Sequence, residues 1–181
     1  MQLQKNVLVV AMPALVYTGL FSFNQFIFPA VNFSSGGDLV FLPSGLRLIC
    51  VLLFVEWGSL GMVLGAMAMN FNGFVSDDPL TVAGAALLSG IAPLLARALC
   101  LRCDARDENL NGLTAACLLK VTVVFSAISA LLFQLWFFAR GQGGDLWGGL
   151  ALHFTGDLLG ALVLLYGAKW VLDHLPQLSR G

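Results

Sequence analysis

The sequence predicts an all-α protein, a polytopic transmembrane bundle of five or six helices forming a single integral membrane domain over residues 1–181. Three observations lead there. Hydrophobic residues make up 59% of the chain and charged residues only 10%, against roughly 25% charged in an ordinary soluble domain. The mean hydropathy is +0.88. The apolar residues are also gathered into runs long enough, at about 20 residues each, to cross the hydrocarbon core of a bilayer. A water-soluble fold so poor in charge could not cover its surface, so the lipid bilayer is the expected partner of most of it. The chain carries 9 Lys and Arg against 10 Asp and Glu. That balance gives no basic field for nucleic acid, and nucleic-acid binding is excluded as a function class.

Four stretches meet the length requirement cleanly: Val7–Phe28, Leu80–Leu101, Leu113–Phe138 and Leu146–Leu172. The first follows a short N-terminal segment with Lys5 its only charge. It is longer than the apolar region of a secretory signal, and the residues around its end, Phe26 to Pro29, offer no small-residue cleavage site. It is therefore read as a membrane helix. Pro13 and Pro93 fall inside spans, where membrane helices tolerate them. Asp77-Asp78-Pro79 places a capping residue before a proline at the first helical position. Asn109–Gly112 and the glycine-rich turn Gly141–Asp145 separate the later spans.

The region Leu39–Phe71 admits two readings. As one helix it would place Glu56 near the middle of the membrane, where a carboxylate is costly. As a hairpin broken at Glu56-Trp57-Gly58 it would put Glu56 at an interface, beside an anchoring tryptophan. The hairpin is preferred, which makes six helices. The basic cluster Arg97, Arg102 and Arg106 marks the cytoplasmic side, and the C-terminus, with Lys169 and Arg180, is then expected there too.

Within the spans, the most informative cluster is His153-Phe-Thr-Gly156-Asp157-Leu-Leu-Gly160. His153 and Asp157 are four apart and share a helix face. An ionisable residue deep in a span is a functional candidate, while Gly156 and Gly160 suit close helix packing. Asp157 is expected to face the interior and to meet His153, Arg47, Lys120 or Gln134. With Glu56 these form the candidate ligand-binding or polar core. Gly61 and Gly65 form a second packing stripe with Gly58.

Catalysis is not expected. No metal-ligand, phosphate-binding or nucleophile motif is present, and neither a metal nor a cofactor is implied. Cys100-Leu-Arg-Cys103 is a CxxC in the loop assigned to the cytoplasm. It differs in that placement from the small membrane thiol oxidases, whose cysteine pairs face the periplasm, so ordinary reduced cysteines are expected.

Two stretches carry a resemblance. Phe41-Leu-Pro43-Ser-Gly45-Leu-Arg47-Leu, running on through Trp57-Gly58 to Gly61 and Gly65, is similar to the Pro-x-Gly segment of membrane-associated sensor (MASE-type) domains. Gly156-Asp157-Leu-Leu-Gly160 resembles the Gly-Asp-x-x-Gly near the end of such domains. Those domains are usually longer and precede a histidine kinase or a cyclic-dinucleotide enzyme. The resemblance therefore implies a free-standing or shortened relative in the cell inner membrane, a sensory or ligand-binding module acting through a partner membrane or signalling protein. A second analogy, resting on size and helix number, is to the substrate-binding S components of energy-coupling vitamin transporters.

Overall fold

The structure, a computed structural model, describes residues 2–27, 39–70, 78–103, 115–142 and 144–174. Five helices follow one another: α1 (Gln2–Ile27), α2 (Pro43–Asn70), α3 (Pro79–Cys103), α4 (Ala115–Ala139) and α5 (Leu146–His174). No strand occurs among the described residues. Each helix contains a stretch long and apolar enough to cross a membrane. The protein is thus a multi-pass helical membrane bundle, as its composition requires.

The helix limits follow from local chemistry. The Asp78 carboxylate accepts from the Thr81 amide at 2.9 Å and caps α3, with Pro79 as the first helical residue. Asp145 caps α5 in the same way, accepting from the amides of Trp147 and Gly148 at 3.1 and 3.0 Å. Helix α4 ends in a left-handed turn at Gly141, whose φ is 69°. There the Gly141 amide donates to the Phe138 carbonyl and the Gln142 amide to the Phe137 carbonyl, which satisfies two carbonyls at the end of the helix. Pro13 and Pro93 lie fully buried inside α1 and α3. The Asn109–Gly112 break and Arg106 lie outside the described residues.

Helix α2 is folded, not straight. Val55 has φ 50° and ψ −117°, outside any helical conformation. Gly58 lies so close to the carbonyl of Cys50 that a methyl group there would collide with it. A straight helix would hold those two residues about 12 Å apart. The contacts along α1 show how far the fold goes. Gly61 packs on Val10 and Pro13, and Gly65 on Ala14 and Tyr17. Further along α1, the Phe21 ring meets Phe41 and the Asn24 side chain accepts from the Leu42 amide at 3.0 Å. Both ends of α2 therefore reach the same part of α1, where a straight helix would separate them by about 40 Å. The two arms, 43–54 and 56–70, form a helical hairpin. The break sits at Val55, one residue before the Glu56–Gly58 segment at which the sequence placed it, and Glu56 is exposed there.

Helix α2 packs against α1, α3 and α5, and α3, α4 and α5 pack in sequence. Helices α2 to α5 thus close a ring, with α1 laid against α2 from outside. One apolar core, built on Tyr17, Phe21, Cys50, Met62, Met69 and Ala86, fills the space between α1, the arms of α2 and α3. A second, built on Leu48, Leu52, Ala96, Cys100, Val121 and Phe125 with Leu165 against it, joins the first arm to α3, α4 and α5. The start of α1, the fold at Val55 and the end of α5 consequently lie at one end of the bundle.

Candidate functional site

The first arm of α2 begins inside the bundle, and its entry is where the polar chemistry concentrates. Non-helical backbone at membrane depth needs internal hydrogen-bond partners. The Phe41 amide donates to the Gly156 carbonyl of α5 at 3.1 Å, and the Leu42 amide donates to Asn24 of α1. The Ser44 hydroxyl lies 2.7 Å from the Phe41 carbonyl and 2.8 Å from the Asp157 carbonyl, so its single proton serves one of them at a time. Such intimate contact needs a helix surface without side chains. Any Cβ at Gly160 would strike the Phe41 carbonyl, and one at Gly45 would press on Leu164 and the Ala161 backbone.

Arg47 closes the joint. Its Nη2 lies 2.9 Å from Oδ1 of Asp157, with the two side chains only 3% and 6% exposed. The guanidinium is enclosed by phenyl rings, with Cζ 5.1 Å from the ring of Phe41, 5.7 Å from Phe125 and 5.6 Å from Phe133. Ring faces attract a desolvated cation, so the charge is held by one carboxylate and an aromatic cage drawn from two elements.

The residues singled out in the sequence divide into two groups. Arg47 and Asp157 meet directly. His153 stands one turn from Asp157 but is not its partner: its Nδ1 lies 3.0 Å from the Gly149 carbonyl. The imidazole stacks on Phe133 at 6.2 Å and leans on Phe137. Gln134 is buried and rests against Gly149. Lys120 and Glu56 are exposed and do not join the core, the first because it faces outward on α4, the second because the fold of α2 carries it to the surface. Gly156 and Gly160 receive the arm of α2, whereas Gly61 and Gly65 receive α1. Cys50, Cys100 and Cys117 are in no disulfide, and Cys100 is 3% exposed. No group of three metal-ligating side chains occurs among the described residues.

Sequence reasoning gave Phe41 and Ser44 no place in the polar core, though they lie in the stretch that carries the resemblance, and passed over Phe125, Ser129 and Phe133. The spacing of Phe125, Ser129 and Phe133, four residues apart on α4, was a usable signal for a single face. No family model matches the chain, and no curated protein or solved structure matches it either. The functional reading therefore rests on the site itself.

A second polar cluster lies at the end of the bundle away from the fold at Val55. Arg140 pairs with Asp78 at 2.8 Å and donates to the Thr81 hydroxyl at 3.2 Å. The Trp136 indole donates to the Thr81 carbonyl at 3.1 Å and lies on Gly84. The Thr81 hydroxyl, then Arg140, then the Thr81 amide hold the Asp78 carboxyl well below the usual carboxylate range. This cluster fastens the start of α3 to the end of α4.

Proposed function

We propose that the chain is a sensory or ligand-binding module of a bacterial inner membrane, with its C-terminus in the cytoplasm, acting through a partner protein. The observation that carries this reading is the buried Arg47–Asp157 pair at the entry of a folded-back helix. Ionisable side chains at membrane depth are costly and mark functional positions. Here they fasten one arm of a hairpin to α5 through a small number of polar bonds. An element held that way has two defined arrangements, docked and released, and an input that favours one shifts the population. The two stretches that resemble MASE-type sensor domains are also the two that this joint brings together, which supports the same reading.

The second reading is the membrane subunit of a small-solute transporter. It is favoured by the fold of α2, which divides that helix into two arms and leaves the described ends of the chain on one side. In-cell crosslinking followed by purification and mass spectrometry separates the two, using the parent and Asp157→Asn. A signalling enzyme captured by the parent and reduced with the variant supports the sensory module. An ATPase pair with a coupling subunit supports the transporter, and capture of neither sinks both readings.

A further inference from the structure

Among the described residues, three buried side-chain atoms lack a hydrogen-bond partner: Nε of Arg47, Oγ of Ser129 and Nε of Arg97. The first two belong to one place. Ser129 lies midway between Phe125 and Phe133 on α4, and residues at that spacing share a helix face. Both flanking rings lie against the guanidinium, at 5.7 and 5.6 Å from Cζ, so Arg47 stands opposite the stripe of which Ser129 is the middle residue. Arg47 is 2% exposed and Ser129 is fully buried. Nearby hydroxyls on α4 turn back onto their own helix, Thr122 to the Leu118 carbonyl at 2.8 Å and Ser126 to the Thr122 carbonyl at 2.9 Å. Ser129 makes no such bond, and its hydroxyl is left without an acceptor on its own helix.

We propose that Arg47 and Ser129 hold a water molecule between them, a third member of the Arg47–Asp157 site. The guanidinium Nε–H can only donate, and a hydroxyl can donate or accept. A single small group that accepts from Arg47 and exchanges a hydrogen bond with Ser129 satisfies both. The charge of Arg47 is already balanced by Asp157, so the occupant is neutral; an anion would face the carboxylate. Water is the smallest neutral group that both accepts and donates, and a buried water takes two to four polar partners. This inference goes beyond the sensory reading and does not depend on it, because the buried pair needs this compensation whatever its role.

Radiolytic hydroxyl labelling of the full chain in nanodiscs tests it, since a bound water activated in place oxidises the aromatic ring beside it. Phe125, although 0% exposed, is expected to oxidise severalfold faster than Phe21, which is 7% exposed and packs away from Ser129. Ser129→Ala is expected to lower the Phe125 rate to that of Phe21, and Ser129→Thr, which keeps the hydroxyl, to preserve it. Equal rates for Phe125 and Phe21 in the parent overturn the proposal. So does an unchanged Phe125 rate in Ser129→Ala, or a loss of labelling in Ser129→Thr as complete as in Ser129→Ala.

Discussion

Arg47 and Asp157, 110 positions apart in the chain, form a 2.9 Å ion pair with neither side chain open to solvent. Removing one partner strands the other charge inside the bundle, which costs about 3–5 kcal/mol. Arg47→Met and Asp157→Leu should each lower thermal stability in detergent by that order. The double variant should lose less than either single one, because no charge remains to be stranded. Asp157→Asn, which keeps an acceptor but not the charge, should fall between. Additive losses in the double variant would show that the two residues do not act as a pair.

Gly160 meets the Phe41 carbonyl without room for a side chain. Gly160→Val should push the α2 entry away from α5, break the bond from the Phe41 amide to the Gly156 carbonyl, and destabilise the protein by about 1–3 kcal/mol. Gly167, with nothing within 4 Å of a Cβ, is the control, and Gly167→Ala should melt with the parent. Similar melting of Gly160→Val and Gly167→Ala would contradict the close approach.

Val55 carries a positive φ of 50°, a conformation that strains a β-branched residue. Val55→Gly should therefore stabilise the hairpin, by about 1 kcal/mol. Val55→Pro, whose ring fixes φ near −65°, cannot make the fold and should yield little folded protein. Thermal unfolding checks the first variant and membrane yield the second; a stable proline variant would mean that α2 is not folded at Val55.

The pH dependence of the Asp78 cluster follows from the depressed Asp78 carboxyl. A carboxyl whose folded value lies below its unfolded one contributes stability above the unfolded value, near 4, and loses it as pH falls through the folded value. The attachment of α3 to α4 should thus hold at neutral pH and loosen only below about pH 4. A variant retaining Trp136 as its only tryptophan should report the change by fluorescence, and Asp78→Asn should remove that acid step. Loosening between pH 5 and 8 would point to another group.

The orientation is open to a direct measurement. Gln142 is exposed in the turn between α4 and α5, at the end of the bundle opposite the described end of α5. Gln142→Cys in a background without the native cysteines should react with a membrane-impermeant maleimide on intact cells if the C-terminus is cytoplasmic. Labelling only after permeabilisation would invert the orientation. Cys100 cannot serve as this reporter, because its thiol is buried.

Much of this architecture was legible in the chain. The spans follow from apolar length, the cap at Asp78 from its residue type before a proline, and the turn ahead of α5 from its glycines. The break in α2 was legible from the cost of burying Glu56, an electrostatic argument that needs no partner. The partner of Asp157 was not. Arg47, Lys120, His153 and Gln134 were equal candidates, because spacing along a helix fixes a face and says nothing of which distant face comes opposite. Lys120 failed as a core residue because it faces outward on α4, and Glu56 because the fold of α2 carries it to the surface. Phe125, Ser129 and Phe133 were missed because a phenylalanine in a span reads as lipid-facing until a cation is placed beside it.

The bond from the Phe41 amide to the Gly156 carbonyl also sets an order of assembly. Its donor is made 115 positions before its acceptor, which belongs to α5. Until α5 enters the membrane, the first arm of α2 has no dock and Arg47 has no counter-charge. Insertion of the earlier helices and the docking of α2 are therefore separate events, and the second waits for α5. Chains truncated before Asp157 should be inserted yet left open, with an unpaired arginine and a loose hairpin, the form of this protein most exposed to membrane proteases.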